Sequence, residues 1–245
     1  MKPARAPAVA LALAASLAVG AEPPPEPPDS PDPESPAAAA DWTIVSSRPV
    51  LIRTRAHPGS RVREVWASAV LAAPAELVQE ALLDGESFPR FMPYVQEVRT
   101  LKIPTSDRSW FTYQRVAPPL VAARDVVLHV WMEMSLEDEG SNRFHNRWEA
   151  VPGLVPAAPG AVRTPISSGS WDVKRLPDGQ CRATYRFIVD PGGNIPSWLA
   201  DVGNRTGIPD VFKAVEKEAK RRAALPRPSR AVAADAPDAS SPASP

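Results

Sequence analysis

The chain has 245 residues, and its 28 Lys and Arg balance its 28 Asp and Glu. No basic stripe is interleaved with aromatics, which excludes a charge-driven nucleic-acid binder. Ten of the 31 prolines lie in the first 40 residues and five from Pro226 onward, which leaves residues 41 to 224 for one domain with a sizeable core.

At the N-terminus, Lys2 and Arg5 precede the small apolar run Ala8 to Val19, and Val19-Gly20-Ala21 offers a cleavage site. This pattern predicts a secretory signal over residues 1–21, hence a periplasmic or secreted protein; an uncleaved N-terminal anchor is the competing reading. The run is shorter than the roughly 20 residues of a membrane span. Residues 22–40 are Pro, Glu, Asp, Ser and Ala without a large apolar side chain, so they predict a disordered linker, and residues 225–245 a tail of the same kind. The only cysteine, Cys181, can form no internal disulfide.

Val50 to Arg55 and Val62 to Ala72 have strand composition. Ala75 to Leu83 then predicts a helix, because Leu77, Val78, Ala81 and Leu82 share one face. Phe88 to Tyr94 is an aromatic, proline-punctuated connector that closes one end of the core. Further strands are expected at Val95 to Ile103, Ser109 to Val116, Asp125 to Leu136, Asn142 to Glu149, Ser168 to Arg175 and Arg182 to Val189. Turn signals such as Asp138-Glu-Gly-Ser and Pro177-Asp-Gly divide them.

A long helix ends the domain. Asn194 suits its N-cap and Pro196 its first turn. The stripes Ile195, Trp198, Leu199, Val202 and Ile208, Val211, Phe212, Val215 would be out of phase on one straight helix. Gly203, Gly207 and Pro209 therefore predict a kink or break between Gly203 and Pro209. The order of elements predicts an α+β architecture, a curved antiparallel sheet around a C-terminal helix, with an internal space filled by side chains or by an apolar ligand.

Several motifs carry a resemblance. Arg124-Asp125-Val-Val follows the loop Ala117-Pro-Pro-Leu-Val-Ala-Ala123; Gly160-Ala-Val-Arg163, Gly192-Gly-Asn-Ile-Pro-Ser-Trp-Leu199 and Gly207-Ile-Pro209 come later. Together, over Trp42 to Arg222, they resemble the START lipid-transfer domain, most closely its phosphatidylcholine transfer branch. The resemblance implies a helix-grip fold and one lipid in an internal tunnel. It also implies a gate made of Leu120 to Ala123 with Ile195 to Val215, and transfer rather than catalysis. Tyr113 and Val130 stand where sterol-binding members carry a buried ion pair. Near Phe88, where the phosphatidylcholine branch has a headgroup arginine, Arg90 is the substitute; the choline-cage positions fall on Tyr113, Val126 and Ser167, and only Tyr113 keeps cage chemistry.

In the strand from Val126, the residues Val126, Leu128, Val130, Met132 and Met134 alternate with His129 and Glu133, so the first set faces the cavity or core. Trp66, Trp110, Trp131, Trp148 and Trp171 read first as core, whereas Trp198 is placed by the resemblance at the pocket. The candidate ligand-contacting residues are Phe88, Arg90, Phe91, Tyr113, Arg124, Val126, Leu128, Val130, Met132, Trp171, Phe187, Trp198, Leu199, Val202 and Phe212. Arg124 either ties the loop to the lid or sheet, or touches ligand. The run Lys213 to Arg222 reads as a solvated face or a membrane-docking end.

His57, His129 and His145 lie on separate segments without metal-ligand spacing, and no nucleophile motif is present. The expectation is therefore a monomeric, non-enzymatic lipid carrier with transient membrane contact and neither metal nor cofactor. A helix-grip cyclase or aromatase, and a scaffold or sensor with a filled cavity, are the alternatives.

Overall fold

The computed structural model describes residues 41–57, 62–193 and 206–225. Ten strands form one curved sheet: β1 (Thr43–Ser46), β2 (Leu51–Ala56), β3 (Arg63–Leu71), β4 (Val95–Leu101), β5 (Ser109–Val116), β6 (Ala123–Met134), β7 (Arg143–Ala150), β8 (Ala161–Arg163), β9 (Ile166–Arg175) and β10 (Cys181–Asp190). Their order across the sheet is β1-β2-β3-β10-β9-β7-β6-β5-β4, antiparallel throughout, while β8 pairs in parallel with the start of β6. Among the described residues are three α-helices: α1 (Ala75–Leu83), the short α2 (Phe88–Phe91) and α3 (Ile208–Ala223). This is the α+β arrangement of a curved antiparallel sheet and a C-terminal helix that the order of elements predicts, and the helix-grip fold that the resemblance implies.

The helices are placed by their apolar faces. On α1, Leu77, Val78, Ala81 and Leu82 are buried as the periodicity predicts, and α1 packs against α3. Gln79 on the same helix is buried too. Its amide donates to Ser135 Oγ at 3.0 Å and accepts from the Leu136 N–H at 2.8 Å, tying α1 to the end of β6. On α3 the buried stripe is Ile208, Val211, Phe212, Val215 and Ala219, with Pro209 in the first turn, where its missing N–H is tolerated. Asn194, Pro196, the first apolar stripe and most of the expected kink lie outside the described residues.

The core splits into two clusters on opposite faces of the sheet. The main one fills the concave side between the sheet, α1 and α3. The smaller one comprises Phe111, Tyr113, Val127 and Val151, covered by Leu154, Val155 and Ala158 from the segment after β7. Both faces of β6 are therefore sealed: Val126 and Leu128 are buried on one side, Asp125 and Val127 on the other.

Two features differ from expectation. The alternation that starts at Val126 does not run to Met134, because β6 pairs Met132 with Asn146 and Met134 with His145, which leaves Glu133 as an inserted residue. A bulge of this kind reverses the side-chain sense beyond it, and Met134 is 43% exposed. Secondly, β1 and β8 are strands that composition did not mark; four and three residues are too short for alternation to show.

Candidate ligand cavity

A cavity of about 370 Å³ lies between the concave face of the sheet, α1, α2 and α3. Its apolar wall is built by Leu82, Phe88, Met92, Leu128, Val130 and Val211, with Trp110, Trp148 and Trp171 adding aromatic surface. Trp171 stacks on Tyr185 at a centroid distance of 4.3 Å and meets Phe212 at 5.3 Å, so the floor of the cavity is a continuous aromatic cluster. Gly169 on β9 makes room for it. A β-carbon there would lie 2.7 Å from Trp148 Cζ2 and closer still to the Arg186 carbonyl oxygen.

Polar groups enter this wall from strands on both sides. Thr112 and Gln114 come from β5, Asn146 from β7 and Tyr185 from β10. Asn146 Oδ1 accepts the Trp171 N–H at 3.3 Å, and Thr112 Oγ1 donates to the Arg99 carbonyl at 3.3 Å. Gln114 Oε1 and Trp148 Nε1 are buried with no hydrogen-bond partner among the described residues. Burial pushes the Tyr185 phenol well above its ordinary pKa, so it stays a neutral donor and acceptor.

At the rim, Asp84 and Glu86 are the ionised groups of the wall. Burial disfavours the charged Asp84, yet hydrogen bonds from Ser87 at 2.6 Å and Arg222 at 2.5 Å hold its carboxyl below the usual range. Glu86 accepts the Thr100 N–H at 3.0 Å and is lowered by that bond. Arg222 also donates to the buried Glu218 at 2.9 Å, so the last turn of α3 is latched to the rim.

Of the expected contact residues, Phe88, Leu128, Val130 and Trp171 stand in the cavity wall. Val126, Phe187 and Phe212 belong to the surrounding core, against which Phe91 and Met132 pack. Trp198, Leu199 and Val202 lie outside the described residues. Arg90 is on the surface, 3.7 Å from Glu218, rather than in the cavity. Its helix turns it outward: α2 is a single turn whose Phe88 takes the inner position. Arg124 is buried at the start of β6 and donates to the Ala122 carbonyl, which ties it to the preceding loop and not to the cavity. Its neighbour Asp125 faces the other way and pairs with Arg163 at 2.9 and 3.1 Å.

Tyr113 needs the largest correction. It lies in the outer cluster, its hydroxyl 3.4 Å from Asp125 and its ring under the Arg99 guanidinium, so it contributes nothing to the cavity. The residues that face inward on β5 are its neighbours Thr112 and Gln114, directly opposite Leu128 and Val126. Trp110 and Trp148, read as core, are wall residues as well. Once β5 is placed beside β6 in this register, the inward set of β6 dictates the inward set of β5; the sequence carries that signal only through the register.

The histidines are elsewhere. His129 is on the outer face, 4.8 Å from the Phe111 ring and 3.6 Å from that of Trp131. His145 lies between Glu133 and Asp172. Among the described residues no group of three or more His, Cys, Asp or Glu could hold a metal ion, and no helix is long and apolar enough to cross a membrane.

Residues 71–216 match the model of the family described as polyketide cyclase / dehydrase and lipid transport. Among solved structures, a STAR-related lipid transfer protein from Xanthomonas axonopodis is similar, with 29% identity and a TM-score of 0.61 over 74% of this chain and 99% of that one. The Zhui aromatase/cyclase of a Streptomyces species shares the fold at 15% identity and a TM-score of 0.50, over 66% of this chain and 96% of that one. An uncharacterized protein of Pseudomonas aeruginosa is 28% identical over 67% of this chain and 80% of its own length.

Proposed function

The chain belongs to the polyketide cyclase / dehydrase and lipid transport family, and from that premise we propose that it binds and carries one lipid or lipid-like molecule in the cavity. The observation that carries this reading is the cavity itself, about 370 Å³ of space in which aliphatic and aromatic side chains alternate with polar ones. Space of this size and lining suits one small apolar guest. Each methylene buried there contributes about 0.8 kcal/mol, so the chain or rings of the guest supply most of the affinity.

Transfer between membranes is the finer part of the proposal. Loop 117–122 supports it: Leu120 stands at its tip, 79% exposed, with a φ of 71°, a conformation that a leucine seldom adopts. A loop that presents an apolar tip at the start of β6 is suited to transient contact with a bilayer. Export belongs to the same proposal and rests on the signal-like pattern of residues 1–21.

Native mass spectrometry of the full chain purified without detergent, followed by extraction of what is bound, tests the carrier reading. One lipid per chain is the expected result. Protein that stays empty and ignores phospholipids, sterols and quinones would overturn it. The second reading, a ring-closing enzyme, draws on the family description and on the likeness to the aromatase/cyclase. Within the cavity its proton donor would be Tyr185, since none of the three histidines belongs to the wall.

A further inference from the structure

We propose that the convex face of the sheet is the docking surface for the chain's own acidic, proline-rich segment 22–40, whatever the cavity holds. The strand registers set one row of side chains across that face: Arg53 on β2, Trp66 on β3, Arg186 on β10, Ser170 on β9, Arg147 on β7 and Trp131 on β6, each directly opposite the next. Arg53 lies over the Trp66 ring at 5.4 Å and Arg147 over the Trp131 ring at 4.0 Å, so guanidinium planes and indoles stack in pairs along the row. The row is on the outside of the sheet. Val65, Ala67, Phe187 and Trp148, which alternate with it along the strands, belong to the core on the concave side. The Arg147 and Arg186 side chains keep 25% and 29% of their surface exposed.

Charge, chemistry and reach select the occupant. Arg55, Arg143, Lys174 and Arg182 flank the row, and the carboxylates that share this face between β2 and β6 are Glu64, Glu133, Glu149, Asp172 and Asp190, so cations are in excess among the described residues. Glu64 alone serves both Arg55 and Arg186. Segment 22–40 carries Glu22, Glu26, Asp29, Asp32 and Glu34 without a Lys or Arg, whereas the tail from Pro226 balances Arg227 and Arg230 with Asp235 and Asp238. Proline rings pack on indole and guanidinium planes, and a proline-rich chain loses little entropy on docking there. The segment leads through Asp41 into Trp42, whose ring lies under the Arg55 guanidinium at 4.7 Å, so the chain enters the fold beside the row. Strands are spaced by about 4.8 Å, which makes the row about 24 Å long. An extended proline-rich chain advances about 3.1 Å per residue, so Glu34, Asp32 and Asp29 reach across the row from Trp42. Tethering supplies an effective concentration on the order of millimolar, at which weak contacts suffice.

A spin label on Ser30→Cys in the full chain, read by amide NMR signals, tests the proposal; Cys181 is fully buried and stays unlabelled. The amides of Arg147, Ser170 and Arg186 are expected to lose intensity by about twofold or more, while those of α1 and α3 keep theirs. Salt at about 1 M, where the screening length is about 3 Å, should restore the signals. Two variants should restore them at low salt: one combining Glu26→Gln, Asp29→Asn, Asp32→Asn and Glu34→Gln, the other combining Arg53→Gln and Arg147→Gln. Signals on the convex face that the label leaves unchanged, or broadening that survives both variants, would overturn the proposal. Broadening that appears only when a spin-labelled chain is mixed with an unlabelled, isotope-enriched one would also overturn it, and would assign the face to a second copy.

Discussion

The Trp148 indole occupies the space that a side chain on Gly169 would need. The two residues sit opposite each other on β7 and β9, and a β-carbon on Gly169 would come within 2.7 Å of Trp148 Cζ2 and 2.9 Å of Phe187 Cβ. The nearby Arg186 carbonyl belongs to the β9–β10 pairing and has no freedom to retreat.

Gly169→Ala is therefore expected to destabilise the protein by about 1–3 kcal/mol, as overpacking in a filled core does. Chemical denaturation measures it. Because Trp148 also forms cavity wall, the surviving folded protein should show changed Trp fluorescence and weaker ligand binding; an unaltered midpoint would mean that the indole moves at no cost.

Asp125 supplies an acid-dependent term. Its burial disfavours the charge, but hydrogen bonds from Arg163 and the Ala158 N–H hold its carboxyl below the usual range. A depressed folded pKa means stability that is complete above the unfolded pKa of about 3.9 and is lost as pH falls through the folded value. Asp125→Asn should cost about 3 kcal/mol at neutral pH, since Arg163 loses its counter-charge, and should flatten the acid limb of the stability curve below about pH 4.

His129 acts over a different window. Burial, and then the neighbouring Arg147 charge, push its pKa down to about 4. The unfolded chain, with an ordinary value near 6.5, binds the proton first, so stability falls as pH drops from about 6.5 to about 4 and levels off below. His129→Phe keeps a ring between Phe111 and Trp131 and should remove this slope. Denaturation midpoints at several pH values across the interval check it; an identical slope in the variant would assign the effect elsewhere.

Cys181 is fully buried on β10, and burial, with the Glu216 and Glu76 charges adding to it, pushes its thiol up to about 12. Native protein at about pH 8 should resist thiol reagents, and labelling should follow global unfolding. Rapid labelling without denaturant would show that the β10 end of the sheet opens locally.

Much of this fold was legible because its strands are long and their turns well marked. Pro177-Asp-Gly breaks β9 from β10 where the turn signal lies, and the α1 stripe Leu77, Val78, Ala81 and Leu82 is buried as its period requires. The site was less legible, for one reason above all. Strand β5 reads Trp-Phe-Thr-Tyr-Gln over residues 110–114, with aromatic rings on both faces, because the outer face is covered as well. Alternation reveals a strand but not which side is inside when both sides are buried. The family resemblance put Tyr113 at the ligand, and alternation could not correct it to Gln114 or reveal Asn146 and Tyr185, polar residues whose meaning depends on partners far away in the chain.

The double burial of β6 has a further consequence for how such a protein can vary. Val126 and Leu128 answer to the cavity side, Asp125 and Val127 to the outer layer, and no residue among them is free to change for the sake of the guest alone. The polar side chains that reach the same space stand on the strands that flank β6, Thr112 and Gln114 on one side and Asn146 on the other, and a change there alters the lining without touching β6. Two chains with this fold could then share a nearly invariant central strand and still carry different cargo.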